Sequence, residues 1–258
     1  MDRFEQFDEV VLFNIAAMLD IPDLLSLCSS SKKFNRLVCK KDAIWSFKLG
    51  AEFPNWRSLK VDMSRKDIYF LLVSLAKLYQ ELNLGSYDIY NLYKAKILNL
   101  GNHNIKIIPT EIGRLVNLEW LYLNNTNLKS LPSEIGKLGN LKILKLDNNQ
   151  ISVLPSEIGN LTQLKTLELD NNQITSLPSE IGRLVNLEEL HLYNNKISVL
   201  PPEIGNLGNL EILQLDNNQI SKIPSELAKL RKLKLLTLQG NPIKNIPVSV
   251  SHLPIVLN

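Results

Sequence analysis

An apolar run of the ~18 residues a membrane-spanning helix needs is missing from this chain. A membrane is therefore not an expected partner. Charge of one sign is missing too: 29 Lys and Arg stand against 26 Asp and Glu, a net charge of +3. That balance lacks the basic footprint of a nucleic-acid binder, so nucleic acid is not expected either. Cysteine is scarce, with only Cys28 and Cys39. Two thiols are too few for a disulfide scaffold. Both lie in apolar helical stretches and read as small buried residues in a reducing compartment. The opening MDRFEQFDEVVLF carries acids where a secretory signal carries bases, so an intracellular location is expected, cytoplasmic or nuclear. The N-x-T sequons at Asn124 and Asn160 then read as chance. His103, His191 and His252 occupy different slots of distant segments, and neither cysteine joins them at metal-ligand spacing. Phosphate-cradling glycine loops and nucleophile elbows are absent as well. The chain reads as a non-enzyme, with no cofactor and no metal.

What is present is repetition. Leu118, Leu141, Leu164, Leu187, Leu210 and Leu233 are each 23 residues apart, and the series from Leu121 and from Leu123 keep step. A further copy precedes them, with Ala95, Leu98 and Leu100 in the same slots. Each unit reads LxxLxLxxNxIxxLPxEIGxLxN. The LxL segment has period 2 and predicts a strand whose leucines share one face. The stretch after the proline is too short for a full helix and predicts a single helical or 3₁₀ turn on the outer side. One unit cannot bury its leucines alone, so the units must stack into a continuous apolar column.

These units resemble the short intracellular class of leucine-rich repeats over residues 95 to about 255. The resemblance implies an α/β solenoid: a curved parallel sheet with short turns on its convex side. Asn149, Asn172, Asn195, Asn218 and Asn241 share one slot after the strand, where an amide can satisfy donors and acceptors of adjacent turns. His103 and Thr126 depart from that slot.

Before Lys94 the period vanishes. Val11, Ile15 and Leu19 fall at helical spacing, Pro22 suits the start of a second helix, and further short helices carry Phe34 and Trp45. Four such helices form a small bundle with little core. The stretch DEVVLFNIAAMLDIPDLLSLCSSSKKFNRLVCKKDAIW resembles an F-box, with Gln6-Phe7 where F-boxes open on Leu-Pro. This implies binding of a Skp-type adaptor through Phe7, Val11, Ile15, Leu19, Pro22, Leu24, Leu25, Leu27, Phe34 and Trp45. Ser64 to Asp67 resembles a capping box, and an amphipathic helix from there to about Asn83 is expected to cap repeat one. The expected domains are an F-box-like head at 1–50, a linker and capping helix at 51–94, and seven repeats at 95–258.

The strand positions between the leucines vary while the frame does not. Trp120, Tyr122 and Ile143 make an apolar corner. Asp147, Glu168, Asp170, Glu189 and Asp216 make an acidic strip with Lys145 as counterweight; it favours a basic partner or else keeps the sheet soluble. His191, Tyr193 and Gln214 complete the expected target-binding face. Together the two resemblances imply a substrate-recognition subunit of a Skp–cullin–F-box ubiquitin ligase. The alternatives are a scaffold or inhibitor whose head only caps the solenoid, and a ligase with its own nucleophilic thiol, for which neither cysteine looks activated.

Overall fold

The computed structural model describes residues 12, 16, 19, 21–40, 42–53, 56–59, 63–82, 84 and 89–256, except the side chains of 21–22, 42–43, 58–59 and 89–90. The chain divides into two compact units. One comprises Met1–Lys77 with Ser86–Asn91, the other Leu78–Gly85 with Leu92–Asn258.

The first unit is helical. Helix α1 spans Ile21–Ser30, α2 Lys32–Phe34, α3 Asp42–Glu52 and α4 Arg65–Glu81, whose last turn belongs to the second unit. Ser31 caps α2, its Oγ accepting the Phe34 N–H at 3.1 Å. The chain after α2 widens into a π turn, Asn35–Cys39. Ser64 caps α4 by accepting the Asp67 N–H, and its own hydroxyl donates to the Asp67 carboxylate. Leu12, Ala16, Leu24, Phe34, Ile44, Trp45 and Leu49 are buried. The Trp45 ring lies 5.7 Å from Tyr69 and 5.5 Å from Phe70 of α4, and its Nε1–H donates to the Cys39 carbonyl at 2.9 Å. The buried Lys48 donates to the Leu19 carbonyl. Burial, with the carboxylate of Glu52 at 2.7 Å, pushes the Tyr69 hydroxyl above its usual range.

One expectation is corrected here. Cys28 and Cys39 are not free thiols but form a disulfide across Cα atoms 6.0 Å apart. The turn at Ser31 and the π turn double the chain back, so the end of α1 meets residue 39. Spacing alone does not reveal that return.

The second unit is an open, wholly parallel sheet in the order β1 to β8. Its first seven strands are Ile97–Asn99, Trp120–Tyr122, Ile143–Lys145, Thr166–Glu168, Glu189–His191, Ile212–Gln214 and Leu235–Thr237. The final half-repeat adds β8, Ile255–Val256. The central leucine of each of the first seven strands is buried, and pairing runs without slippage at 23 residues per step. Behind each strand a proline in extended conformation leads into a 3₁₀ turn, such as Pro155 before Ser156–Asn160. Ile112, Ile135, Ile158, Ile181, Ile204 and Leu227 drive those turns into the core.

The asparagine slot is a ladder. Asn195 Nδ2 donates to the carbonyls of Leu169 and Leu192 at 2.9 and 3.2 Å, while its Oδ1 accepts the Ile174 N–H at 3.0 Å. Asn172 and Asn218 repeat the pattern. Thr126 donates its hydroxyl to the Leu123 carbonyl or to Asn149. The preceding slot has a separate job. Asn102, Asn125, Asn148, Asn171, Asn194 and Asn217 all have positive φ, between 52° and 65°, and Gly240 takes over at 68°. Asparagine tolerates the left-handed region better than other side chains, and glycine better still.

Candidate functional site

On each strand the residues flanking the buried leucine point away from the core. Register places Ile97, Trp120, Ile143, Thr166, Glu189, Ile212 and Leu235 in one row across the sheet. Asn99, Tyr122, Lys145, Glu168, His191, Gln214 and Thr237 form a second row. Asp147, Asp170, Tyr193 and Asp216 lie just beyond the strands. All twelve target-binding candidates therefore lie on one face.

At the β1 end the face is apolar. Ile97 is 45% exposed and Trp120 38%, so neither belongs to the core. Lys145 lies next in register to Tyr122, its Nζ 5.9 Å from the ring centroid, and pairs with Glu168 at 2.8 Å. That hydrogen bond to Glu168 raises the Lys145 ammonium above its usual range, against the cost of burial.

The acidic strip is less free than composition implies. Glu168 is held by Lys145. Asp170 accepts the Tyr193 N–H at 2.7 Å, and Asp216 accepts the Gln239 N–H at 2.8 Å and the Thr237 hydroxyl. Burial lifts the Asp170 carboxyl above its usual range, the Tyr193 N–H only partly offsetting it. Asp147 accepts from the Asn148 amide. Glu189 is the least engaged, facing only the His191 ring at 3.3 Å among the described residues. The other ring nitrogen of His191 lies 2.7 Å from Gln214 Oε1.

A lateral charge ladder borders the face. Glu119 sits between Lys96 and Lys142 at 2.7 and 2.6 Å, Lys165 pairs with Glu188, and Lys234 with Glu211. The two lysines hold the Glu119 carboxyl down at about 2. Sequence reading missed this column. Its signal is a column of Lys or Glu at every 23rd residue from Lys96 to Lys234, visible only once the repeats are aligned.

The adaptor candidates separate by exposure. Leu24, Phe34 and Trp45 are buried in the helical unit itself. Leu25 is 36% exposed, and Leu19 and Leu27 are half-buried. Phe7, Val11, Ile15 and the Pro22 side chain lie outside the described residues. Phe47, 51% exposed, was not among the candidates.

Comparison with known proteins agrees with both parts. The leucine-rich repeat region profile matches residues 70–169, 134–213 and 180–255, and the F-box domain profile matches residues 4–45. The chain is a repeat-solenoid protein of the leucine-rich repeat family with an F-box domain ahead of the repeats. No curated protein matches it. Among solved structures, the leucine-rich repeat ectodomain of the Arabidopsis thaliana receptor kinase GASSHO1/SCHENGEN3, in complex with CASPARIAN STRIP INTEGRITY FACTOR 2, is similar at 32% identity. That match covers 68% of this chain and 21% of the other, with a TM-score of 0.60. A TDR receptor is similar at 35% identity over 53% of this chain and 24% of its own, with a TM-score of 0.50. The chain thus spans about a fifth to a quarter of these relatives' length. Both kinds of module are in general protein-interaction modules without catalysis of their own. F-box domains bind Skp-type adaptors and leucine-rich repeats bind protein targets. No described helix is long and apolar enough to cross a membrane.

Proposed function

We propose that this protein is a substrate receptor of a Skp–cullin–F-box type ubiquitin ligase. The F-box helices hold a Skp-type adaptor, and the exposed face of the sheet holds a protein target. Bond chemistry belongs to other subunits, and the receptor contributes proximity. The observation that carries this reading is the joining of an F-box domain at 4–45 to a repeat sheet whose outward rows vary while its frame does not. An intracellular location goes with it.

Exposure refines the adaptor surface. Leu24, Phe34 and Trp45 serve it through packing, while Leu19, Leu25 and Leu27 offer surface of their own. In a pull-down with a Skp-type adaptor, the wild-type chain should co-purify at micromolar concentration. Leu25→Asp should weaken capture while leaving the far-ultraviolet circular dichroism unchanged. Leu24→Asp should unfold the head and lose capture for that reason. Absence of any wild-type complex with such an adaptor would overturn the reading and leave a scaffold whose head only caps the repeats.

A further inference from the structure

The geometry points to an amphipathic helix as the target segment, lying across the strands, with its apolar stripe over β1–β3 and a lysine or arginine over Glu189. The inference rests on the proposal that this face binds a protein target, and deepens it by naming the recognised chemistry.

The first observation is a row of spacings. Ile97, Trp120 and Ile143 stand in register on three adjacent strands, the first two openly exposed. Neighbouring strands lie ~4.8 Å apart, so this apolar stripe runs ~10 Å across the sheet. A ligand tracking it needs an apolar group about every 5 Å. One helical turn supplies 5.4 Å, and a heptad of ~10.5 Å matches two strand spacings of ~9.6 Å. An extended chain repeats its same-face side chains only every ~6.6 Å and falls out of step within three strands. Apolar residues at i, i+3 or i+4, and i+7 therefore meet the stripe.

The second observation is the chemistry of the next two positions in that row. Thr166 on β4 is small and uncharged, and Glu189 on β5 presents a carboxylate whose one contact among the described residues is the His191 ring. The other acids of this face are taken up by Lys145, by the amides of Tyr193 and Gln239, or by Asn148. Glu189 lies four strand spacings from Ile97, ~19 Å. Fourteen helical residues cover ~21 Å, within the adjustment of a long basic side chain. A base at i+14 stays on the same helical face. The charge complement and the helical period thus set one pattern: an apolar i, i+3/i+4, i+7 stripe over β1–β3 with the base over β5.

The test is selection from a display library of random 18-residue peptides against the full chain. Enriched peptides should carry the apolar i, i+3/i+4, i+7 pattern with Lys or Arg near i+14, and gain helical circular dichroism on binding. Trp120→Ala should weaken them ~30-fold or more, with an unchanged melting temperature. Glu189→Lys should weaken them roughly tenfold, and exchange of the peptide's base for Glu should restore binding to that variant. Enriched peptides with period-two alternation, without the base, or indifferent to Glu189→Lys overturn the helix inference while leaving the face as a binding site. Peptides that bind Trp120→Ala, Tyr122→Ala and Glu189→Lys as well as wild type overturn the face itself. A library yielding no binder also counts against the inference.

Discussion

Asp170 ties its own repeat to the next: its Oδ1 accepts the backbone N–H of Tyr193, 23 residues on, at 2.7 Å. Asp216 does the same for Gln239. Side chains on the variable face thus also join repeats, and a substitution there tests stability as well as recognition.

Asp170→Asn separates the two roles. Burial, only partly countered by the Tyr193 N–H, sets the folded carboxyl above its unfolded value. The folded chain then holds that proton more tightly, so ionisation at neutral pH costs stability. The cost vanishes as pH falls below the unfolded value, about 3.9. Asparagine keeps the acceptor and never ionises. Asp170→Asn should melt at or slightly above wild type at pH 7, the two melts converging toward pH 4. Asp170→Ala, lacking the acceptor, should melt lower at both. A several-degree loss for Asp170→Asn at pH 7 would mean that the charge itself strengthens the joint.

The adjacent asparagines Asn194 and Asn195 should respond to different changes. Asn195→Ala strands the Ile174 N–H in the core, leaves the Leu169 carbonyl with only the Asn172 amide, and should cost ~1–3 kcal/mol. Asn194 has φ 56° and should accept glycine with little loss. Asn194→Val places a β-branched residue in the left-handed region and should cost ~1–2 kcal/mol. Denaturant melts of the three variants distinguish the slots; equal losses for Asn194→Gly and Asn194→Val would remove the backbone explanation.

That pair shows what a sequence can convey. Period, strand position and outward rows can be read from leucine spacing, because a 23-residue repeat fixes register by itself. The ladder role of Asn195 can be read too, since a buried turn needs an amide. The left-handed role of Asn194 cannot, because two neighbouring asparagines look alike until backbone angles are known. Glu119 between Lys96 and Lys142 was hidden likewise, since each partner lies 23 residues away. In the head there is no period to exploit. Leu24 and Leu25 are adjacent and chemically identical, yet one is buried and the other exposed. Short helices leave that choice to tertiary packing.

The Cys28–Cys39 bond closes a loop of 11 residues in the helical unit. Closing a loop of that length should contribute ~2–3 kcal/mol. Cys28→Ser with Cys39→Ser should destabilise the head by that order. Intact mass under non-reducing conditions should show the wild type two hydrogens lighter than after reduction. A wild-type mass unchanged by reductant would remove the bond from the account.

The glycines of the convex turns yield the last prediction. A Cβ on Gly159 would collide with the Glu180 carbonyl oxygen of the next repeat, and one on Gly182 would stand 2.5 Å from that of Glu203. Those obstacles are backbone, and the same contact recurs along the stack, so relief would require the repeats to separate. Gly139, only three residues beyond Gly136 of the same motif, has open space where its Cβ would go. Its φ is not in the left-handed region, so alanine there restricts the unfolded chain without strain. Gly159→Ala should therefore cost ~1–3 kcal/mol as overpacking, whereas Gly139→Ala should be neutral or stabilising by ~0.4–1 kcal/mol. The chain carries a natural variant of the slot. Ala228 replaces the glycine in repeat six, where the next turn shortens to Val248–Val250 and Ser249 stands in place of the recurrent glutamate. Ala228→Gly should gain nothing if that last step is looser than the others. Equal melts for Gly159→Ala and Gly139→Ala would show that the repeats are not held in contact through this slot.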